Sequence, residues 1–331
     1  MRQQRIELRR RKLVRRRVQL RRGRRLRRWF VTSPLAGVGI GWRPEISGYV
    51  TGLAAGEPLG RAARSAVGLA AGETLGQAAR SAVGLAFVEV IAESVPHHGP
   101  LPDGLARLRD RGVPVVPHGV KLSLGGAEPV EPHRVEHFAA VARLTEAPLV
   151  SEHIAFVRAG GHEAGHLLPV PRTREAVDAI TANAAVVQST LDVPLALEPI
   201  ATLVDWPDDE LAEAQFLIEI LDRTGALLLL DVANVYANAV NRGEDAYALL
   251  DALPWERVAY CHVAGGAQID GLYQDTHTDR VPDDVLRLVA HLAGRLPAVM
   301  LERDGRYPPA AELSAELDAI ADAAGLDRVT G

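Results

Sequence analysis

The sequence predicts a single (β/α)8 barrel, in which eight parallel strands alternate with helices or long loops around a closed ring. Between residues 37 and 324, short apolar runs alternate with helix-like segments eight times. The chain has 331 residues, 47% of them hydrophobic, which is enough for one barrel of about 250 residues with insertions. Seven of the apolar runs end in a carboxylate or an imidazole, at the positions where barrels of this class carry polar sites.

Each predicted strand is a short and nearly unbroken apolar run, which is typical of a strand buried on both faces. The predicted strands are residues 37–43, 87–93, 114–120, 149–156, 194–200, 227–234, 257–265 and 298–304. The alternative fold is a doubly wound open sheet, but no glycine-rich phosphate motif follows the first strand. The pattern therefore favours the closed barrel.

The predicted helices fill the segments between these strands. They span residues 104–111, 132–144, 173–191, 208–224, 245–253, 282–294 and 310–324. Thr173 is a candidate N-cap, because a threonine hydroxyl accepts hydrogen bonds from amides of the first helical turn. Gly225 is a candidate helix end, because glycine adopts the left-handed conformation without strain.

A tandem duplication interrupts the first connection of the barrel. Residues 52–67 (GLAAGEPLGRAARSAV) recur almost unchanged as residues 68–83 (GLAAGETLGQAARSAV). A solenoid requires several stacked repeats, whereas removing one copy here leaves a connection near the size of an ordinary βαβ crossover. We interpret the duplication as a lengthened first helical layer without a function of its own.

The first thirty residues differ in composition from the rest of the chain. They hold fourteen arginines, one lysine and one glutamate, so they carry about +14 of charge and the remainder carries about −19. Self-repelling segments of this kind are typical of disordered extensions. We expect residues 1–30 to be an arginine-rich disordered tail, with Val31 as an alternative translation start, and residues 31–331 to form one barrel domain.

Composition excludes several classes of protein. A single cysteine excludes a disulfide framework and a thiolate metal cluster, and it suits a reducing cytoplasm. No apolar run approaches the roughly 18 residues that a membrane span requires. The acidic body disfavours binding to nucleic acid. We therefore expect a cytoplasmic protein that binds neither a membrane nor nucleic acid.

Polar side chains at the strand ends form the candidate site. They are Glu93, His118, Glu152, His153, Glu198, Asp231, Asn234, His262 and Glu302, followed by Asp275 and His277 in the loop after the seventh strand. The carboxyl ends of the strands meet at one face of a barrel, so these groups should converge there. Imidazoles and carboxylates without thiolates suit Zn, Mn or Fe(II). These side chains outnumber the ligands that one metal ion can bind. We therefore expect two or three metal ions, with Glu198 and Glu302 as candidate bridges between them.

The alternation of side chains along a strand refines this set, because neighbouring residues point to opposite faces. If His262 faces the barrel mouth, Cys261 faces the helices. Glu152 and His153 cannot both point inward in a regular strand, and we favour His153 as the ligand. Asp275 and His277 are two residues apart, so an extended chain would point both the same way.

Seven motifs carry a resemblance to a known family. They are HGVKLSLGG (118–126), SEHIAF (151–156), LLPVP (167–171), LLLLDVANVYANA (227–239), CHVAGG (261–266), DTH (275–277) and LERD (301–304). In this order they resemble the multinuclear non-heme iron-dependent oxidase family, which includes the oxidase of methanobactin biosynthesis. The resemblance covers roughly residues 37–304 and implies a barrel similar to xylose isomerase and endonuclease IV.

The resemblance also implies a ligand set and a chemistry. Metal ligands are implied at His118, His153, Glu198, Asp231, His262, Asp275, His277 and Glu302, with Asn234 where endonuclease IV has a histidine. Two or three iron ions, ferrous and ferric, would activate O2 to oxidise cysteine or a nearby residue of a ribosomally made peptide. A separate partner protein would present this precursor peptide. Asp231, His262 and Glu198 are then the candidate catalytic residues.

The chain departs from the family pattern at three positions near the site. His166 stands where the family often has aspartate, Pro199 where asparagine often follows the glutamate, and Ser94 follows Glu93. Glu93, Glu152 and His166 are therefore candidates for substrate contact or for support of the ligands. The alternative function is a redox-neutral enzyme using Zn, Mn or Mg, as in a sugar isomerase or phosphodiesterase; a non-catalytic binding scaffold is a third.

Overall fold

The structure is a computed structural model that describes residues 33–55 and 84–330. The arginine-rich segment and residues 56–83, which contain most of the duplication, lie outside the described residues. In chain order the strands are β1 (Gly37–Gly41), β2 (Phe87–Ile91), β3 (Val115–Gly119), β4 (Val150–His153), β5 (Phe156–Ala159), β6 (His162–Leu168), β7 (Leu195–Glu198), β8 (Leu227–Asp231), β9 (Val258–Val263), β10 (Gly265–Ile269), β11 (Leu272–Asp279) and β12 (Ala298–Leu301).

Eight of these strands close into a parallel barrel. Its order is β1, β12, β9, β8, β7, β4, β3 and β2. The closing strand β1 pairs in parallel with both neighbours, so that Gly39 lies beside Met300 on one side and beside Phe87 on the other. A Cβ atom at Gly39 would lie 2.7 Å from the Phe87 ring, which explains the glycine. The predicted (β/α)8 barrel is confirmed.

The remaining four strands form two antiparallel hairpins beyond the carboxyl ends of barrel strands. β5 pairs with β6 after β4, and β10 pairs with β11 after β9. The sequence predicted a strand continuing to residue 156 and a loop after residue 265, and both predictions were wrong. Asp275 and His277 therefore lie on β11 rather than in a loop. Strands β6 and β11 are rich in polar residues and are less buried than the barrel strands, so they lack the apolar runs that reveal the barrel strands.

Nine α-helices occur in the described residues. They are α1 (Ser47–Ala54), α2 (Asp103–Asp110), α3 (Pro132–Leu144), α4 (Arg174–Gln188), α5 (Glu213–Thr224), α6 (Val232–Arg242), α7 (Ala246–Ala252), α8 (Asp283–His291) and α9 (Ala310–Ala324). Short 3-10 turns occupy Pro44–Ile46, Ala92–Ser94 and Trp255–Arg257. None of the helices in these ranges is long and apolar enough to cross a membrane.

Local signals determine several of the helix ends. Thr173 caps α4 by accepting a hydrogen bond from the Ala176 amide at 3.1 Å, and Gly225 ends α5 with a φ of 69°. Several predicted boundaries were wrong by three residues or more. The helix predicted from residue 208 begins at Glu213, and the strand predicted to residue 234 stops at Asp231, where α6 begins.

Two apolar cores surround the strands. Inside the barrel, Phe87, Leu229, Tyr260 and Met300 belong to one cluster, which fills the interior. Outside it, the opposite faces of the strands pack against the helices, and Cys261 belongs to this second cluster, as predicted. The two cores follow from alternation along buried strands, and they leave the carboxyl ends of the strands as the place for polar groups.

Candidate metal centre

The carboxyl ends of the barrel strands bring most of the predicted site residues together. The buried members are His118, His153, Glu198, Asp231, Asn234, His262 and Glu302. Strand register aligns them, because His153 lies beside Glu198 and Asp231 lies beside His262 in adjacent strands. Asp275 and His277 approach from β11 with partly buried side chains. Clustered charges at this depth require charged partners or a bound cation.

Glu198 lies at the centre of three imidazoles. Its Oε2 atom is 3.4 Å from Nε2 of His118 and 3.4 Å from Nε2 of His153. Its Oε1 atom is 3.5 Å from Nδ1 of His262. The His118 and His153 rings are also in contact, with centroids 4.5 Å apart. The three rings thus present one nitrogen each to the same carboxylate.

A second group of ligand atoms adjoins the first through His262. The Glu302 Oε2 atom is 3.0 Å from Nδ1 of His262, and its Oε1 atom is 3.4 Å from Nδ1 of His277. His277 also contacts Asp275 through Nε2 and Asp304 through Nδ1, the latter at 3.2 Å. Glu302 therefore faces two imidazoles from different strands.

Within residues 33–55 and 84–330, five overlapping groups of three residues have ligand atoms close enough to hold a cation. They are His118, His153, Glu198; Glu198, Asp231, His262; Asp231, Asp275, His277; Glu89, His262, Glu302; and His277, Glu302, Asp304. The residues that each belong to two groups are Glu198, Asp231, His262, His277 and Glu302. Of these, the carboxylates can bridge two cations, and Glu198 and Glu302 are among them. The overlap favours neighbouring cations rather than a single one.

Unpartnered buried atoms provide a test of whether these residues fit a metal. Among the described residues, ten buried side-chain nitrogen and oxygen atoms lack a hydrogen-bond partner, and five belong to the predicted ligands. These five are Glu198 Oε2, Asp231 Oδ2, Asn234 Oδ1, His262 Nδ1 and Asp275 Oδ1. An unsatisfied buried polar atom costs about 1–3 kcal/mol. Their concentration in one cluster fits a site built for cations.

The spacing of Asp231 and Asn234 has a structural cause. Asp231 caps α6, and its Oδ1 atom accepts hydrogen bonds from the Ala233 and Asn234 amides at 2.6 and 3.0 Å. The cap leaves Oδ2 of Asp231 directed into the cluster without a partner. The Asn234 amide nitrogen donates to the Pro199 carbonyl at 3.3 Å, which leaves its oxygen free. One helix start thus positions two oxygen ligands.

Burial and mutual charge set the protonation of the cluster. Burial, followed by the carboxylates of Asp275 and Glu198, raises the pKa of Asp231 to about 8. Burial opposes a charge on His153, but the carboxylates of Glu198, Glu152 and Glu302 outweigh it and raise its pKa to about 9. At His118, burial, together with the charges of His153 and His262, outweighs the neighbouring carboxylates and lowers the pKa. Raised pKa values favour the protonated forms of Asp231 and His153, and a bound metal ion would displace such protons.

His277 has an unusual backbone conformation. Its φ is 53°, in the left-handed region, and its carbonyl accepts a hydrogen bond from the Asp304 amide at 2.8 Å. Such a conformation costs a residue other than glycine about 1–3 kcal/mol. Asp275 and His277 do meet on β11, although His277 itself departs from the extended backbone that was expected.

Besides Asn234, three predicted residues do not belong to the groups of candidate ligands. Glu93 accepts a hydrogen bond from the Val120 amide at 3.1 Å, and burial, followed by Glu152, raises its pKa. Glu152 accepts from the amides of Leu122 and His153 at 3.0 and 2.8 Å. Both acids therefore support the chain around the centre. The third residue, His166, is exposed on β6.

The sequence analysis missed Glu89, Arg43 and Asp304. Glu89 lies in the middle of β2, is 1% exposed, and has Oε2 2.9 Å from Nε2 of His262. Arg43 donates through Nε to Asp304 at 2.9 Å and lies 3.8 Å from Glu302. A carboxylate inside an apolar run was the available signal for Glu89. No local pattern distinguishes Arg43 among so many arginines.

The fold and this cluster define a (β/α)8-barrel protein with a candidate centre for several metal ions. The chain belongs to the family described as RiPP precursor modification enzyme MbnB/TglH/ChrH, whose sequence model matches residues 66–325. RiPPs are ribosomally made and post-translationally modified peptides. The family relationship that the seven motifs indicated is thereby confirmed.

Several relatives and a solved structure are similar to this chain. A UPF0276 protein of Streptomyces avermitilis is 47% identical over 294 residues, covering 86% of this chain and 54% of that protein. The chain thus spans about half the length of that relative. A UPF0276 protein of Caulobacter vibrioides is 41% identical over 233 residues, 70% of this chain and 83% of that protein. Endonuclease IV from Thermus thermophilus shares the fold, with a TM-score of 0.50 and 17% identity over 85% of this chain and 96% of that one.

Proposed function

We propose that this protein is a multinuclear iron-dependent oxidase that uses O2 to modify cysteine, or a neighbouring residue, of a ribosomally made peptide. One observation carries the proposal: five unpartnered buried ligand atoms converge in a chain that belongs to a family of RiPP precursor modification enzymes. Imidazole and carboxylate ligands are those that iron accepts in redox enzymes. A separate protein that presents the precursor peptide is part of the proposal.

Nine residues would hold two or three iron ions. They are His118, His153, Glu198, Asp231, Asn234, His262, Asp275, His277 and Glu302. Bound iron would supply the redox couple through which O2 accepts the electrons that the peptide loses. The proposed catalytic residues are Asp231, His262 and Glu198, because each belongs to the same central group of ligand atoms.

The protein's own side chains prepare the centre in three ways. The Gly119 carbonyl accepts from Nδ1 of His153 at 3.1 Å, which leaves Nε2 of that ring facing Glu198. The cap on α6 orients Asp231, and burial, followed by the charges of Asp275 and Glu198, raises its pKa to about 8. Arg43 balances charge at the outer side, where it contacts Asp304 and Glu302.

The test is anaerobic purification followed by metal analysis and an assay with iron, O2 and a cysteine-containing precursor peptide encoded beside this gene. We expect retained iron and an O2-dependent change in peptide mass. Asp231→Asn should lose activity. Asp283→Asn is the matched control, since Asp283 is exposed on α8 and should retain activity.

Two outcomes would contradict the proposal in different ways. A protein that retains no transition metal would exclude the centre itself. Turnover that proceeds without O2 and is supported by Zn or Mn would favour the redox-neutral metal enzyme instead. Both outcomes are read in the same preparation.

A further inference from the structure

A buried hydrogen-bonded chain lies beside the candidate metal centre and is formed by Glu89, Tyr260 and Ser151. Tyr260 donates through its hydroxyl to Oε2 of Glu89 at 2.5 Å. The Ser151 and Tyr260 hydroxyl oxygens are 2.8 Å apart. The three side chains are 0–1% exposed. We call them the Glu89 relay.

Each end of the relay contacts an imidazole of the centre. Oε2 of Glu89 is 2.9 Å from Nε2 of His262, and Oγ of Ser151 is 2.8 Å from Nδ1 of His118. Ser151 lies directly beside His118 in the register of β3 and β4. The relay therefore connects two predicted ligands that lie on strands β3 and β9, which are not neighbours in the barrel.

The chemistry of the groups determines the direction of every hydrogen bond. A carboxylate only accepts, so Nε2 of His262 and the Tyr260 hydroxyl both donate to Glu89. The Tyr260 phenol has one hydrogen, which it donates to Glu89. That hydrogen points at Glu89, and Tyr260 must accept from Ser151. Ser151 has then used its hydrogen and accepts from Nδ1 of His118.

This direction leaves a defined nitrogen on each ring. His118 retains Nε2, which is 3.4 Å from Glu198. His262 retains Nδ1, which is 3.5 Å from Glu198 and 3.0 Å from Glu302. The two rings thus use different nitrogens, yet both free nitrogens face the same carboxylate. A ring held in the other tautomer would present N–H to the cation position.

We infer that Glu89, through Tyr260 and Ser151, determines which nitrogen His118 and His262 present to a cation at Glu198. These three are positioning residues, since they act through the imidazoles. The inference rests on the proposed metal centre for its effect on metal binding. The predicted tautomer of His118 concerns the metal-free protein, so it can be tested without any metal.

The first test measures the affinity of the whole protein for Zn2+, a diamagnetic ion, by competition with a chelator. Residues that orient imidazole ligands change metal affinity about 10- to 100-fold, and we expect Ser151→Ala and Tyr260→Phe to weaken binding by that amount. Ser151→Thr restores the hydroxyl and should restore affinity. The matched controls are Ser314→Ala and Tyr49→Phe, because those residues form the same type of hydroxyl pair, 2.9 Å apart, between α1 and α9.

The second test reads the tautomer by NMR of the metal-free protein with ¹⁵N-labelled histidine. We expect the hydrogen of His118 on Nδ1 in the wild-type protein, and loss of this preference in Ser151→Ala but not in Ser314→Ala. A hydrogen on Nε2 of wild-type His118, or unchanged Zn2+ affinity in both relay variants, would overturn the inference. If the wild-type protein binds neither Zn2+ nor iron, the proposed function fails, and the NMR result still decides the direction of the relay.

Discussion

Removing metal should make the stability of this protein fall as pH rises from about 6 to about 9. Asp231 has a pKa of about 8 in the folded protein against an ordinary 3.8. The folded state therefore holds a proton that the unfolded state has released, and stability declines as pH rises through this interval. His153, with a pKa of about 9 against 6.5, acts in the same direction, because its stabilising charge is lost as pH rises to 9.

The size of the effect follows from these two shifts. One pKa unit corresponds to about 1.36 kcal/mol, so each group lowers the free energy of unfolding by roughly 3 kcal/mol between about pH 6 and pH 9. The two groups belong to one network and are not additive, so we expect a total of about 3–6 kcal/mol. A loss of this size is a large part of the 5–15 kcal/mol that typically stabilises a domain.

The assay is urea unfolding of the chelator-treated protein, followed by tryptophan fluorescence across this pH range. Asp231→Asn cannot ionise and should lose about half of the pH dependence, whereas Asp283→Asn should behave as the wild-type protein does. The metal-loaded protein should show a flatter profile, because cations replace the protons. A metal-free protein that is as stable at about pH 9 as at about pH 6 would refute this reasoning.

Three further predictions concern the scaffold. Burial raises the pKa of the Cys261 thiol, so a thiol reagent should label it only after unfolding; rapid labelling of the native protein would contradict its placement. Gly39→Ala places a Cβ atom 2.7 Å from the Phe87 ring and should cost about 1–3 kcal/mol in urea unfolding; an unchanged midpoint would exclude that contact. Thr173→Ala removes the cap on α4 and should cost about 0.5–2 kcal/mol, whereas exposed Ser189→Ala at the other end of α4 should cost less.

Much of the barrel could be predicted because each buried strand is a short apolar run that is visible in the local sequence. The run Leu227–Asp231 is apolar until its last residue, and that residue is the one at the mouth. The same reasoning located His118, Glu198 and His262, since every parallel strand delivers its carboxyl end to one face. Helix ends such as Thr173 and Gly225 were predictable for a similar reason, because caps depend on neighbouring residues.

The polar hairpins and the side chains that support the site were harder to predict from the sequence. β6 and β11 pair with adjacent strands but are polar and partly exposed, so no apolar alternation marks them. Glu89 was not predicted because it lies inside a strand rather than at its end, although a carboxylate in the apolar run Phe87–Ile91 is itself unusual. Arg43 meets Asp304 across 261 positions of sequence, and pairing at such a separation leaves no local pattern.

The sequence by itself determined the fold class, the family and the residues that arrive at the barrel mouth, because these follow from periodicity and from local motifs. Only the tertiary structure decided how the mouth is arranged. It placed Glu198 among three imidazoles, used Asp231 as a helix cap, and connected Glu89 to His118 through two hydroxyls. Hydrogen-bond direction and shared burial depend on the geometry between distant strands, which no local stretch of sequence contains.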